Sequence, residues 1–335
     1  MKNNILKICL ILCTVLGTVK VMAERPIWVV GHACNSQRCL IKVLDEGGCG
    51  VEIDVFSDAA NKDKAWSVNH GGGFRDSVYN AKVNRGRDWL DRYVYLEEYL
   101  NLQETSRLSI LWLDVKSPEY LINLVQHVHK VLDKVYDGKQ PPYSIIYGVY
   151  KIDQLSAPIP DGSNDLVIDW LRDNLRSNEG INLAWEGKDK NQINGMGSGF
   201  IWEIEKLMND HSFPTYKHFM TCGYFNSKRV HSNSVEPACI LEAKKLRNEG
   251  KYCSRIGYWT CRTYKDAIWF IEPKWAGIQT ECDLVLVECH NEFILGDHDA
   301  LEYFVKYYFR EDGCYYKKYN AHNTRIANQD DVFFR

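Results

Sequence analysis

Glu52 and Asp54 stand two residues apart in the run Gly47-Gly48-Cys49-Gly50-Val51-Glu52-Ile53-Asp54-Val55. A strand repeats every two residues, so both carboxylates project from one face of an otherwise apolar strand. Two bare carboxylates on one face repel each other, and burial makes them costlier. A hard divalent cation resolves that conflict, and Mg²⁺ takes oxygen ligands. The plainer alternative is an edge strand with a solvated acidic face. The same spacing returns in Asp114 and Lys116, at the far end of the apolar run 108–115. His32 closes the apolar run that starts at Pro26, and His70 closes another just before Gly71-Gly72-Gly73.

Together these residues make a chemical set. Glu52, Asp54 and Asp114 could hold one Mg²⁺, with substrate oxygens and waters completing an octahedral shell. Lys116 could neutralise a phosphate oxygen as a mobile point charge. His32 and His70 could pass a proton, one at the attacking oxygen and one at the leaving group. Such a set suits phosphoryl transfer at a phosphodiester better than redox chemistry. Each piece also has a structural reading: a histidine satisfied at a strand end, a lysine that snorkels, a glycine run that is only a turn. Glycosidases pair carboxylates too, but Glu52 and Asp54 share one strand and are too close to flank a sugar bond. That rival needs Asp114 as one of its pair.

The elements that must position these groups alternate. Strand patterns fall at residues 26–32, 51–55, 65–70, 108–115, 143–150, 181–185, 219–224, 256–260 and 277–280. Helical patterns lie between them, notably 40–44, Trp89-Tyr93-Leu96-Leu100, 121–131 after Pro118, 166–175, 200–208, 239–246 and 264–271. A last helix is read at 301–308. Alternation over this length predicts a parallel α/β protein. No Gly-x-Gly-x-x-Gly fingerprint follows the first strand, so a single-domain (β/α)₈ barrel fits better than a doubly wound sheet. In such a barrel the polar strand ends gather at one mouth, where buried Asp, Glu and Lys need partners and core filling does not explain them.

The first residues read as a leader: a basic start, an apolar run from Ile5 to Val19, and small-to-medium residues before a cleavage point after Ala23. The run is short for a membrane span. Residues 1–23 are therefore expected to be a signal peptide, and the mature chain a secreted protein with no transmembrane anchor. Loss of Lys2, Lys7 and Lys20 makes the formal net charge of −3 three units more negative, which argues against nucleic-acid partners. Cys9 and Cys13 leave with the leader. Three cysteines then lie early (Cys34, Cys39, Cys49) and seven late, from Cys222 to Cys314. An even total in an oxidising compartment predicts structural disulfides, with pairing unreadable; zinc competes poorly because no Cys-x-x-Cys occurs.

The pieces Pro26-Ile27-Trp28 through Gly31-His32, Glu52-Ile53-Asp54-Val55, Asn69-His70-Gly71 and Leu113-Asp114-Val115-Lys116 occur in one order. In that order and spacing the chain resembles the sphingomyelinase D/phospholipase D (dermonecrotic toxin) family of spider venom, related to the glycerophosphodiester phosphodiesterases. The likeness is close over about the first 120 residues, looser to about 285 and absent beyond. It implies a distorted (β/α)₈ barrel, here read over 24–290; the sequence beyond, 291–335, is expected to be a C-terminal helix and extension packed on it. It implies one Mg²⁺ on Glu52, Asp54 and Asp114, with His32 on the base side and His70 as general acid. Lys116 would contact the phosphate, and Tyr258 and Trp259 would border the substrate, Trp259 against a quaternary ammonium.

The implied activity is that of a lyase. It removes choline or ethanolamine from sphingomyelin or lysophospholipids, with an internal hydroxyl closing a cyclic phosphate. A zwitterionic phospholipid is then the partner, and the protein a monomer. Three departures bear on the substrate. The loop after His70 carries no cysteine. Glu281 stands where the family has an asparagine near its pocket. The family's C-terminal plug is not recognisable in the Tyr-rich 301–335. The alternatives are a glycerophosphodiester hydrolase and a catalytically weak lipid-binding barrel.

Overall fold

The computed structural model describes residues 24–57, 66–68, 94–149, 152–159, 165–186, 197–223, 238–251, 253–261, 263–271, 281–288, 300–309 and 324–334. His70 and the glycines after it lie outside this set, as do the leader and the stretch 277–280.

The chain opens with strand β1 (Arg25–His32), helix α1 (Gln37–Asp45) and β2 (Gly50–Ser57). Short strands β3 (Trp66–Val68) and β4 (Val94–Tyr95) and helix α2 (Leu96–Leu100) follow. Then come β5 (Ile110–Val115), α3 (Leu121–Val135), β6 (Ser144–Val149), α4 (Ile152–Leu155) and α5 (Val167–Asn174). The second half continues with β7 (Glu179–Glu186), α6 (Gly197–Asp210), β8 (His218–Gly223), α7 (Ala238–Asn248), β9 (Arg255–Cys261) and α8 (Tyr264–Ile271). It finishes with β10 (Leu284–Glu288), α9 (Ala300–Phe304) with a π-helical turn after it, and β11 (Thr324–Ile326).

Strands β1, β2 and β5 to β10 pair side by side in parallel, and β1 meets both β10 and β2, so the sheet closes into an eight-stranded barrel among the described residues. Strand alternation sorts the side chains into two cores. Val51, Ile53 and Val55 face outward and join the helix layer. Trp28, Val30, Ile110, Trp112, Ile146 and Phe219 face inward.

The interior is built from aromatic rings. Phe333 meets Trp28 and Phe219 edge-on, each at 5.0 Å between centroids, and Trp112 meets Phe219 at 5.7 Å. Glycines make room for them. A Cβ on Gly148 would sit 2.7 Å from Trp112 Nε1, and one on Gly180 would sit 2.5 Å from the Phe334 ring.

Two expectations change here. The stretch 65–70 is not a barrel strand: its described part, β3, runs antiparallel to β2 and carries β4 outward. The last barrel strand is β10, buried from Leu284 to Val287 and starting four residues after the end of the stretch expected to provide it. The described part of the tail both packs on the barrel and enters it. β11 pairs with the start of β1, Pro26 beside Arg325, and Phe333 and Phe334, 0% and 3% exposed, enter the barrel. Arg325 and Asp331 brace this turn at 2.5 and 2.6 Å.

The expected disulfides are overturned as well: none forms among the described residues. Cys34, Cys39, Cys49, Cys253, Cys261 and Cys282 carry reduced thiols. The nearest pair, Cys34 and Cys39, has its sulfurs 2.7 Å apart, against the ~2.05 Å of a disulfide. These cysteines fill apolar space as small hydrophobes. Burial pushes the Cys49 thiol up to about 12, and its sulfur accepts the Val29 N–H at 3.3 Å.

Candidate metal centre

β2 and β5 are neighbours in register, with Asp54 beside Asp114 and Glu52 beside Trp112. Both strands turn the same parity inward, so Glu52, Asp54 and Asp114 converge at the C-terminal mouth of the barrel. One oxygen from each lies within 4.8 Å of the others, and all three residues are buried. Lys116 closes the group: its Nζ is 2.8 Å from Asp54 Oδ1 and 2.5 Å from Asp114 Oδ2. His32, ending β1, holds its Nε2 4.0 Å from Glu52 Oε2.

The loop after β1 completes the surroundings. Ala33 adopts φ +52°, a left-handed conformation that costs a non-glycine residue about 1–2 kcal/mol. It thereby donates its N–H to Glu52 Oε2 at 2.6 Å. Asn35 donates from Nδ2 to Asp54 Oδ2 at 2.7 Å and accepts the Asp54 N–H at 2.8 Å. Tyr99 in α2 donates its hydroxyl to the Cys34 carbonyl at 2.9 Å, and Ser36 caps α1.

The electrostatics follow from burial. Burial first, and Asp54 next, hold the Glu52 carboxyl well above the usual carboxylate range; His32 pulls it back, Asp114 adds to the rise, and Lys116 lowers it. Burial opposes the charge on Lys116, but Asp114 and Asp54 outweigh it and raise the ammonium above its ordinary value. With all three carboxylates ionised, one ammonium would leave two negative charges, and a buried site of that kind either takes up a proton or calls for a compensating cation. All-oxygen donors on two adjacent rigid strands fit a hard divalent ion, with further positions open to water and substrate oxygen. The group is capable of coordinating a divalent metal. A buried acid triad at the C-terminal mouth of a (β/α)₈ barrel is consistent with a metal-dependent hydrolase active site.

The remaining expected residues separate. Trp259 on β9 packs against the inner core. Tyr258, its neighbour, points the other way: it is 0% exposed and stacks on Phe270 of α8 at 3.4 Å and 14°. The structure thus does not bring Tyr258 to the triad. Glu281 precedes β10, at the opposite end of the barrel from the carboxylates. Its side chain meets Lys244 at 3.3 Å and its carbonyl faces Arg25 and Arg247, so its expected place beside the pocket is corrected. His70 and the loop 71–73 fall outside the described residues. Sequence reasoning missed Ala33 and Asn35. Only the proximity of Asn35 to the His32 strand end could have pointed to it.

No helix among the described residues is long and apolar enough to cross a membrane. Comparison with protein-family models finds no match, and none of the curated proteins searched matches the chain.

Proposed function

We propose that this protein is a Mg²⁺-dependent phosphodiesterase of the phospholipase D type, releasing choline or ethanolamine from sphingomyelin or lysophospholipids. The observation that carries the reading is the Glu52–Asp54–Asp114 group with Lys116 against two of its members. Mg²⁺ on that group would supply positive charge for the phosphoryl oxygens. Among the described residues, Lys116 is the cation beside the triad that can meet a phosphate oxygen at the same mouth. His32 takes the proton of the substrate's internal hydroxyl as its oxygen bonds to phosphorus. The phosphorus–headgroup oxygen bond breaks, and His70 gives its proton to the departing alcohol. The products are a cyclic phosphate and the free headgroup. Trp259 supplies a ring face for a quaternary ammonium. Action on lipid outside the cell is part of the same proposal and rests on the leader-like first residues.

The test is incubation of the protein with sphingomyelin and with lysophosphatidylcholine, in Mg²⁺ or in EDTA, read by phosphorus NMR. The expected product is a cyclic phosphate that requires metal and disappears in His32→Ala and His70→Ala. An open phosphomonoester would replace the cyclising reading with hydrolysis. Headgroup release that persists in EDTA would overturn the metal-dependent mechanism.

A further inference from the structure

Asn35 grips one residue with both halves of its amide. Its Nδ2 donates to Asp54 Oδ2 at 2.7 Å and its Oδ1 accepts the Asp54 N–H at 2.8 Å. A side chain bonded to the backbone and the carboxylate of the same residue fixes that carboxylate's rotation. Asp54 Oδ1 meanwhile faces Lys116 at 2.8 Å. The carboxylate plane is therefore set from two sides before any ligand arrives.

Asn35 is itself held. It lies between Cys34, whose carbonyl accepts the Tyr99 hydroxyl at 2.9 Å, and Ser36, the N-cap of α1. The same turn aims the Ala33 N–H at Glu52 at 2.6 Å. One three-residue turn after β1 thus contacts two of the three acidic groups on β2 and β5.

The geometry points to Asn35 as a positioning residue for the metal centre, orienting Asp54 so that one oxygen is presented toward Glu52 and Asp114. The inference rests on the metal-dependent reading of the triad. Hydrogen-bond partners of metal ligands carry much of a site's affinity, typically about 10- to 100-fold when removed.

Calorimetric titration of the full chain with Mg²⁺ alone tests it, on wild type, Asn35→Ala and Asn35→Leu, which keeps the branched shape without the polar atoms. Melting in EDTA establishes that each variant is folded, and whichever variant folds decides. The expected result is a Kd weakened about 10- to 100-fold. The Mg²⁺ concentration for half-maximal headgroup release should rise in parallel, while KM for lipid at saturating Mg²⁺ stays near wild type. A folded variant whose Kd stays within about twofold of wild type overturns the assignment. A wild type that binds Mg²⁺ but releases no headgroup removes the lipase reading and leaves the Kd comparison to decide on Asn35. A wild type that binds no Mg²⁺ overturns both.

Discussion

Glu52→Gln should raise the stability of the metal-free protein and erase its response to metal. Glu52 is 2% exposed, and its carboxylate shares a space of at most 4.8 Å with Asp54 and Asp114. At an effective dielectric of ~20, a like-charge pair at that separation costs about 3 kcal/mol. This is an upper figure, because Glu52 can take a proton instead of bearing the repulsion. Lys116 lies against the two aspartates at 2.8 and 2.5 Å, which leaves Glu52 as the least compensated member.

Its raised pKa fixes the sign: the contribution of Glu52 to stability is full below its unfolded pKa and is lost as pH rises through the folded one. Glutamine cannot ionise and loses nothing over that window. Bound Mg²⁺ reverses the ranking, adding about 2.7 kcal/mol to wild type at a hundred times its Kd. For a chain of this size that is roughly 5 °C in Tm, taking about 2 °C per kcal/mol. Thermal melts at pH 5 and pH 8, each in EDTA and in Mg²⁺, carry the test. A variant that melts below wild type in EDTA at pH 8, or gains as much from Mg²⁺ as wild type does, would refute the reasoning.

Other expectations follow from the same structure. Lys116→Met strips a cation from two buried carboxylates and should destabilise the metal-free fold by about 3 kcal/mol, the low end for a broken buried pair, since its side chain is 27% exposed. The same change should cut headgroup release about 10²–10³-fold, read from initial rates. Phe333→Ala empties the floor beneath Trp28 and Phe219 and should cost about 3–5 kcal/mol in urea unfolding. Gly148→Ala forces a methyl against the Trp112 indole, with Asp114 Cα 3.5 Å away. It should cost about 1–3 kcal/mol and weaken Mg²⁺ binding in the same titration.

Much of the barrel is legible because a parallel strand buried on both faces is a short apolar run, and a carboxylate within one stands out. Glu52-x-Asp54 and Asp114-x-Lys116 announce their shared faces through the two-residue period alone. That period carries no direction, so β3, antiparallel to β2, reads the same as a barrel strand. β10 is itself such a run, with Leu284 and Leu286 facing inward and Val285 and Val287 facing the helices, so periodicity does not explain why 277–280 reads as the last strand in its place. An even cysteine count cannot report geometry, and the six described thiols pack in the core without forming disulfides. Phe333 and Phe334 show no periodicity, and their place inside the barrel exists only once β11 has docked on β1. Asn35 is one polar residue in a loop, meaningful only when Asp54 comes within reach.

The pairing of β11 with β1 and the burial of Phe333 and Phe334 also govern how the molecule is made. A chain emerging from the ribosome presents β1 before the other strands; its partner β2 follows at once, but β10 and β11 lie at Leu284–Glu288 and Thr324–Ile326, far along the chain. Contacts this distant in sequence repay their loop-closure entropy only at the end. Until residue 334 has emerged, Trp28 and Phe219 have no ring between them, and fragments that stop earlier expose an unfilled apolar well. Chains cut short carry a sticky, unfinished interior that chaperones and proteases can recognise.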